Sequence, residues 1–246
     1  LASPAMLVDL NRISALAYIK EGDGWLRIGA MTRESDMDRS DLIAKKYPLL
    51  ADTTHVVADP LVRNLSTLGG NLAHADPAND HPATMIAYRA EIVATGPKGD
   101  RTIPATEFFT GPFETGLAHG ELLTEIRIPA PGKNSGGAYV KLERKVGDFA
   151  TAAVAAQVSL ANDGTIEQAG LALTNVGLTP IHASDAEQAL KGKKPDDTVL
   201  RQAADLASKA ARPEPDARGS AEYKRAMVKT LTVRALRRAV ARAQGG

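Results

Sequence analysis

The sequence predicts an α+β fold in two successive parts, and three observations carry that expectation. Short apolar runs with period-two alternation crowd the chain between residues 26 and 174, and turn-forming residues separate them. From Ser184 onward the apolar spacing switches to the three-and-four rhythm of helices. A chain of 246 residues, 43% hydrophobic and 24% charged, has ample material for one large core or two modest ones.

Taken in order, Leu26-Arg-Ile-Gly-Ala-Met31 alternates and reads as a strand. Residues 41–50 have a short helical pattern expected to stop near Pro48. Residues 83–88 read as a helix. Glu91-Ile-Val-Ala-Thr95 reads as a strand closed by the Gly-Pro-Lys-Gly-Asp turn, and residues 101–104 and 122–129 as further strands. Pro129-Ala-Pro-Gly-Lys-Asn-Ser-Gly-Gly137 has the composition of a linker, which divides the chain into residues 1–132 and 138–246. Beyond it, residues 138–142, 151–160 and 168–174 read as strands, with Asn162-Asp-Gly164 as a hairpin turn. Met227, Leu231, Ala235 and Ala239 then recur every fourth residue, opposite Lys224, Arg225, Arg234 and Arg238.

Composition narrows the chemistry. With no cysteine, the chain offers no disulfide, no thiol nucleophile and no cysteine ligand for zinc or an iron–sulfur cluster. No apolar run approaches the ~18 residues of a membrane helix, and nothing argues for export. Residues 191–246 carry 14 Lys and Arg against 6 Asp and Glu, a tail of +8 on a chain of net +1. That tail has no interleaved aromatics and no recognition motif, so a solvated or partner-facing helix is expected and nucleic acid is not.

The densest chemistry lies in Arg63-Asn-Leu-Ser-Thr-Leu-Gly-Gly-Asn-Leu-Ala-His-Ala-Asp-Pro-Ala-Asn-Asp80. Gly69 and Gly70 suit a turn with positive φ in which successive N–H groups face an anion. Ser66 and Thr67 add hydroxyls, Asn71 tolerates a left-handed conformation, and Asp80 supplies an acceptor for ligand hydroxyls. The segment is neither a P-loop nor a Gly-x-Gly-x-x-Gly turn. It reads as a site for a phosphate-bearing cofactor, with a plain tight turn as the bland alternative. His55, His74 and His81 lie near Asp59, Asp76 and Asp80 in sequence, which allows a metal site for a hydrolase. The prolines at 77 and 82 argue against regular presentation, and hydrogen-bonded loop histidines are the simpler expectation. No Gly-x-Ser-x-Gly elbow is present. Lys141 opens a charge run just past the linker, from where it can reach a cleft between the two parts. Phe149 either shields a planar ring or fills the core.

On these and further stretches the chain resembles the FAD-binding medium subunit of molybdenum hydroxylases, most closely that of aerobic carbon monoxide dehydrogenases. The stretches are residues 3–10, Thr67-Leu-Gly-Gly-Asn71 through Asp80, 108–115, 121–129, 139–148, 172–176 and 217–224, and they follow in order along nearly the whole chain. The resemblance implies a vanillyl-alcohol-oxidase-type FAD-binding domain followed by a small antiparallel sheet with helices. It implies FAD contacts at Thr67, Leu68, Gly69, Gly70, Asn71, Asp80, Leu123 and Lys141, with no catalytic residue and no metal ligand. That family also carries an Ala-Gly-Gly-x-Ser-type pyrophosphate loop upstream of the Ser-Pro-Ala stretch. Leu1 falls after it, so the N-terminal part of the FAD-binding domain is expected outside this sequence.

The implied function is an FAD electron-transfer subunit of a carbon monoxide dehydrogenase-like oxidoreductase. Its implied partners are a molybdenum-cofactor large subunit and an iron–sulfur small subunit in a heterohexamer, with an external electron acceptor. A cytoplasmic place is expected, the inner face of the membrane being one option. The alternatives are a cofactor-free scaffold of the same kind of complex, the medium subunit of a related aldehyde- or heteroaromatic-oxidising enzyme, and, more remotely, the metal-dependent hydrolase.

Overall fold

The computed structural model describes residues 5–246, so Ser3 and Pro4 of the first family-like stretch lie outside the described residues. The first part begins with β1 (Ile19–Gly22) and β2 (Trp25–Gly29). Six short helices follow: α1 (Glu34–Asp38), α2 (Asp41–Lys46), α3 (Pro48–Val56), α4 (Pro60–Arg63), α5 (Leu68–His74) and α6 (His81–Tyr88). Then come β3 (Glu91–Gly96), β4 (Gly99–Pro104), α7 (Ala105–Phe108), β5 (Phe109–Gly111), β6 (Glu114–Thr115) and β7 (Leu122–Pro129). The second part holds β8 (Ser135–Leu142), β9 (Ala152–Leu160), β10 (Ile166–Thr174) and β11 (Ile181–His182). It closes with α8 (Ser184–Leu190), α9 (Asp197–Ala210) and α10 (Ala221–Ala243).

The α+β expectation holds. A five-stranded sheet runs in the order β1-β2-β7-β3-β4 and a four-stranded sheet in the order β11-β10-β9-β8, with antiparallel pairing throughout both. The second sheet is covered on both faces, and period two decides which residue goes where. Tyr139, Ala153, Ala155 and Ala172 join the core that α6 and the first sheet share. Their neighbours Ala138, Val154, Ala156 and Leu171 join a second core under α8, α9 and α10. Alanines allow helices to approach both faces closely, so the two parts are packed into one another.

Local chemistry corrects three sequence expectations. α2 stops at Lys46, close to Pro48 as expected, but residues 48–50 belong to a second helix that Pro48 itself starts, because proline at the first helical position lacks only an N–H that would be unpaired anyway. Lys224 is not on the solvated face of α10. It is buried, with its Nζ 2.8 Å from the Asp216 carboxylate. Several other basic residues of the tail also form internal pairs: Arg237 with Asp197 at 2.7 Å, Lys229 with Asp205, and Arg238 and Arg242 with Asp52. The glycine pair, third, lies inside a helix and not in a turn.

Candidate functional site

Gly69 and Gly70 lie in the first turn of α5 and neither has a positive φ. The expected turn is a capped helix start. Thr67 is the N-cap, its Oγ1 accepting the Gly70 N–H at 3.1 Å. The Leu68 N–H donates to the Thr32 carbonyl at 3.1 Å and the Gly69 N–H to that of Ala30 at 2.9 Å. The row of free N–H groups expected from the sequence is therefore already engaged. Gly69 is glycine for another reason: a Cβ there would lie 2.5 Å from the Cβ of Ala30.

What faces outward is side-chain chemistry. Gly70 is exposed, and with Thr67, Asn71, Asn79, Arg33 and Met31 it lines a groove of about 530 Å³. Asn79 donates from Nδ2 to the Asn71 carbonyl at 2.8 Å, which fixes the groove wall. The Oδ1 of Asn71 is buried and has no partner among the described residues, an acceptor held ready for a donor. Arg33 donates to the Leu65 carbonyl and, at 2.7 Å, to Asn11 Oδ1.

Asp80 and Lys141 are 61 residues apart in sequence, and the fold brings them together. Asp80 stands just before α6, and Lys141 comes from β8 with its Nζ 2.9 Å from Asp80 Oδ2 and 3.0 Å from the Val56 carbonyl. Tyr139, two residues earlier on the same face of β8, donates its hydroxyl to Asp80 Oδ1 at 2.7 Å. Burial pushes the Asp80 carboxyl above its ordinary value, and Lys141 and Tyr139 pull the other way. Burial and the neighbouring Asp80 raise the Tyr139 hydroxyl well above its ordinary range, so it stays protonated as the donor. Lys141 thus ties the second sheet to the end of α3 and the start of α6, which is the reach into the first part that its position past the linker suggested.

Leu123 is buried in β7. Thr124 beside it accepts at its carbonyl from Ala30, whose own carbonyl accepts from Gly69. Leu122 is half exposed. Phe149 is not a core residue: it is half exposed, and the Arg218 guanidinium lies 6.0 Å from its ring centroid. The three histidines separate. His55 faces Asp38 at 3.5 Å, His74 meets the Phe113 ring edge-on at 5.3 Å, and His81 meets Glu34 at 2.8 Å. Among the described residues no three His, Asp or Glu side chains form a metal-holding group. Sequence reasoning passed over Tyr139, Asn79 and Glu34. Only Tyr139 left a signal, its two-residue spacing from Lys141 along a strand.

Two protein families match the chain. "FAD binding domain in molybdopterin dehydrogenase" covers residues 1–131, and "CO dehydrogenase flavoprotein C-terminal domain" covers residues 137–239. The carbon monoxide dehydrogenase medium chain of Hydrogenophaga pseudoflava is 43% identical over 98% of this chain and 84% of its own. The glyceraldehyde dehydrogenase medium chain of Sulfolobus acidocaldarius is 37% identical over 96% of this chain and 83% of its own. A solved structure of carbon monoxide dehydrogenase from Hydrogenophaga pseudoflava superposes with a TM-score of 0.95 at 45% identity, covering 98% of this chain and 84% of that one.

Proposed function

We propose, on the premise that this chain belongs to the family of FAD-binding flavoprotein subunits of molybdopterin dehydrogenases, that it holds FAD as the electron-transfer subunit of a carbon monoxide dehydrogenase-like complex. The observation that carries the reading is the groove at the start of α5. There the bare Gly70 is flanked by the Thr67 hydroxyl and by the buried, unpartnered Oδ1 of Asn71. This donor and acceptor set fits a nucleotide with hydroxyls and phosphates. FAD, when bound, supplies the capacity to accept and release electrons one or two at a time.

The chain's own residues bind and orient. Thr67, Leu68, Gly69, Gly70 and Asn71 form the groove wall and its rigid base. The buried pair of Asp80 and Lys141 presents fixed charge where β8 meets the start of α6, and Leu123 offers a buried apolar side chain on β7. No residue here needs to move a proton. The substrate is oxidised on a molybdenum-cofactor large subunit, and an iron–sulfur small subunit delivers the electrons. An external acceptor removes them. These partners suit a chain with no cysteine of its own. Carbon monoxide is the favoured substrate of the complex, and an aldehyde is the alternative that the Sulfolobus relative brings. Residues 1–132 serve as the FAD-binding unit and residues 138–246 as the flavoprotein C-terminal unit of a heterohexamer in the cytoplasm. Among the described residues no helix is long and apolar enough to cross a membrane.

The test is the visible spectrum of the complex purified from its native host, followed by release and identification of any flavin. Flavin bands with FAD released are expected. Clusters without flavin would leave the scaffold reading in front, which the engaged N–H groups of α5 favour.

A further inference from the structure

Glu34 and His81 are both fully buried, and neither lines the groove at α5 nor bonds the Asp80–Lys141 pair. Each is the first residue of its helix, Glu34 of α1 and His81 of α6, and their only mutual contact is His81 Nε2 to Glu34 Oε2 at 2.8 Å. The other polar atom of each side chain, Glu34 Oε1 and His81 Nδ1, is buried without a partner among the described residues. A pair this incompletely satisfied is a poor way to stabilise a core. Desolvating a carboxylate costs more than one hydrogen bond returns, and two apolar side chains of similar volume would do as well. Its value lies in what it ties together.

At one end, the Glu34 N–H donates to the Ser66 carbonyl at 3.1 Å, and Arg33 and Thr67 form an isolated antiparallel bridge. The start of α1 is therefore fastened to the segment that opens the groove. At the other end, His81 directly follows Asp80. Between groove and carboxylate the chain runs through a loop, residues 75–80, whose first residue, Ala75, is left-handed. Two side-chain hydrogen bonds span the gap: the one from Asn79 to the Asn71 carbonyl, and the one between His81 and Glu34.

We propose that Glu34 and His81 are positioning residues of the FAD site, setting the distance between the Thr67–Asn71 segment and Asp80 so that one FAD molecule spans both. The inference rests on the FAD reading above. A site preorganised in this way binds tightly because the ordering is done before the ligand arrives.

The experiment titrates FAD into the deflavinated, otherwise intact complex and follows flavin fluorescence, with visible circular dichroism of the bound flavin as a second readout. His81→Ala is expected to weaken FAD binding about tenfold or more and to alter the dichroism. His81→Gln, whose amide nitrogen can reach Glu34 as Nε2 does, is expected to restore both. Thr84→Val breaks a different buried hydrogen bond on α6, the 2.6 Å contact with Thr53, and is expected to lower Tm while leaving FAD affinity alone. If His81→Ala does not assemble, His81→Asn, which keeps an amide but falls short of Glu34, must show the same loss. FAD binding by wild type that His81→Ala or His81→Asn leaves unchanged overturns this inference alone. Wild type that takes up no FAD overturns the underlying reading, and this one with it.

Discussion

Replacing Gly69 with alanine tests whether that glycine serves packing or ligand. The new Cβ would lie 2.5 Å from the Ala30 Cβ, 2.7 Å from its carbonyl oxygen and 2.8 Å from its Cα. Comfortable carbon contacts lie near ~3.5–4.0 Å, so something must move by about 1 Å. Ala30 cannot yield easily, because its N–H is bound to Thr124 and its carbonyl to Gly69, both at 2.9 Å. Overpacking costs about 1–3 kcal/mol, and backbone neighbours place this site at the upper end. Better helix propensity returns about 1 kcal/mol at most, which leaves a net loss of about 2 kcal/mol. For a chain of this size that lowers Tm by about 4–8 °C. Gly70→Ala differs, since its Cβ would meet only the Thr67 hydroxyl, at 2.8 Å, on an exposed face. There the propensity gain and the weakened cap roughly cancel. The methyl group instead enters the groove, and FAD binding is expected to fall about tenfold or more at unchanged Tm. Thermal unfolding followed by circular dichroism, beside an FAD titration, separates the two variants. A Gly69→Ala protein that melts with wild type would refute the packing argument. A Gly70→Ala protein that binds FAD normally would refute the groove.

Three further outcomes are expected. Lys141→Met leaves the buried Asp80 carboxylate without its cation, at a cost of about 3–5 kcal/mol near neutral pH. Burial already raises the Asp80 pKa, so its ionised form weighs against folding as pH rises, and the variant's deficit should shrink on acidification. Urea unfolding at pH 8 and pH 5 measures this, and an equal deficit at both would count against it. Asp52→Ala frees Arg238 and Arg242, which bond that carboxylate at 2.7–3.0 Å and hold α10 to α3. About 2–3 kcal/mol should be lost and the end of α10 should become sensitive to protease, whereas an unchanged digestion pattern would contradict the clamp. The hydrogen bond from Arg218, then that from Arg144, hold the Asp148 carboxyl down at about 2. Its contribution to stability is complete above its unfolded value near ~3.9 and fades as pH falls toward 2. Arg218→Gln should therefore differ from wild type above pH ~4 and converge with it near pH ~2. A Tm difference that is constant across that range would exclude the link.

How legible the molecule was depended on the range of the interaction. β3, β7, β9 and β10 were readable because alternation and turn residues are local signals, and α6 and α10 because their apolar spacing is. The start of α5 was not, since two adjacent glycines weigh against helix and only the close approach of Ala30, 39 residues away, settles the matter. Pro48 was read as a stop because proline ends one helix and begins another with the same local signal. Nothing in the spacing joins Asp80 to Lys141. The resemblance to relatives named both, and the fold explains why they meet. Glu34 and His81, 47 residues apart, are linked only by tertiary structure. His81 attracted notice as a possible ligand, and its partner attracted none.

All eight residues of α6 are buried, against β9 and β10 on one side and α3 and α5 on the other. The strands that cover it are synthesised later, the last ending at Thr174, 86 residues beyond Tyr88. At about 5–20 residues per second, a nascent chain carries the helix uncovered for about 4–17 s. The molecule therefore passes through an aggregation-prone stage on the ribosome, before its final core exists. Elongation speed across residues 89–174 then sets how long the helix waits for its cover, and two genes encoding the same protein with different codons can differ in output while their products melt alike.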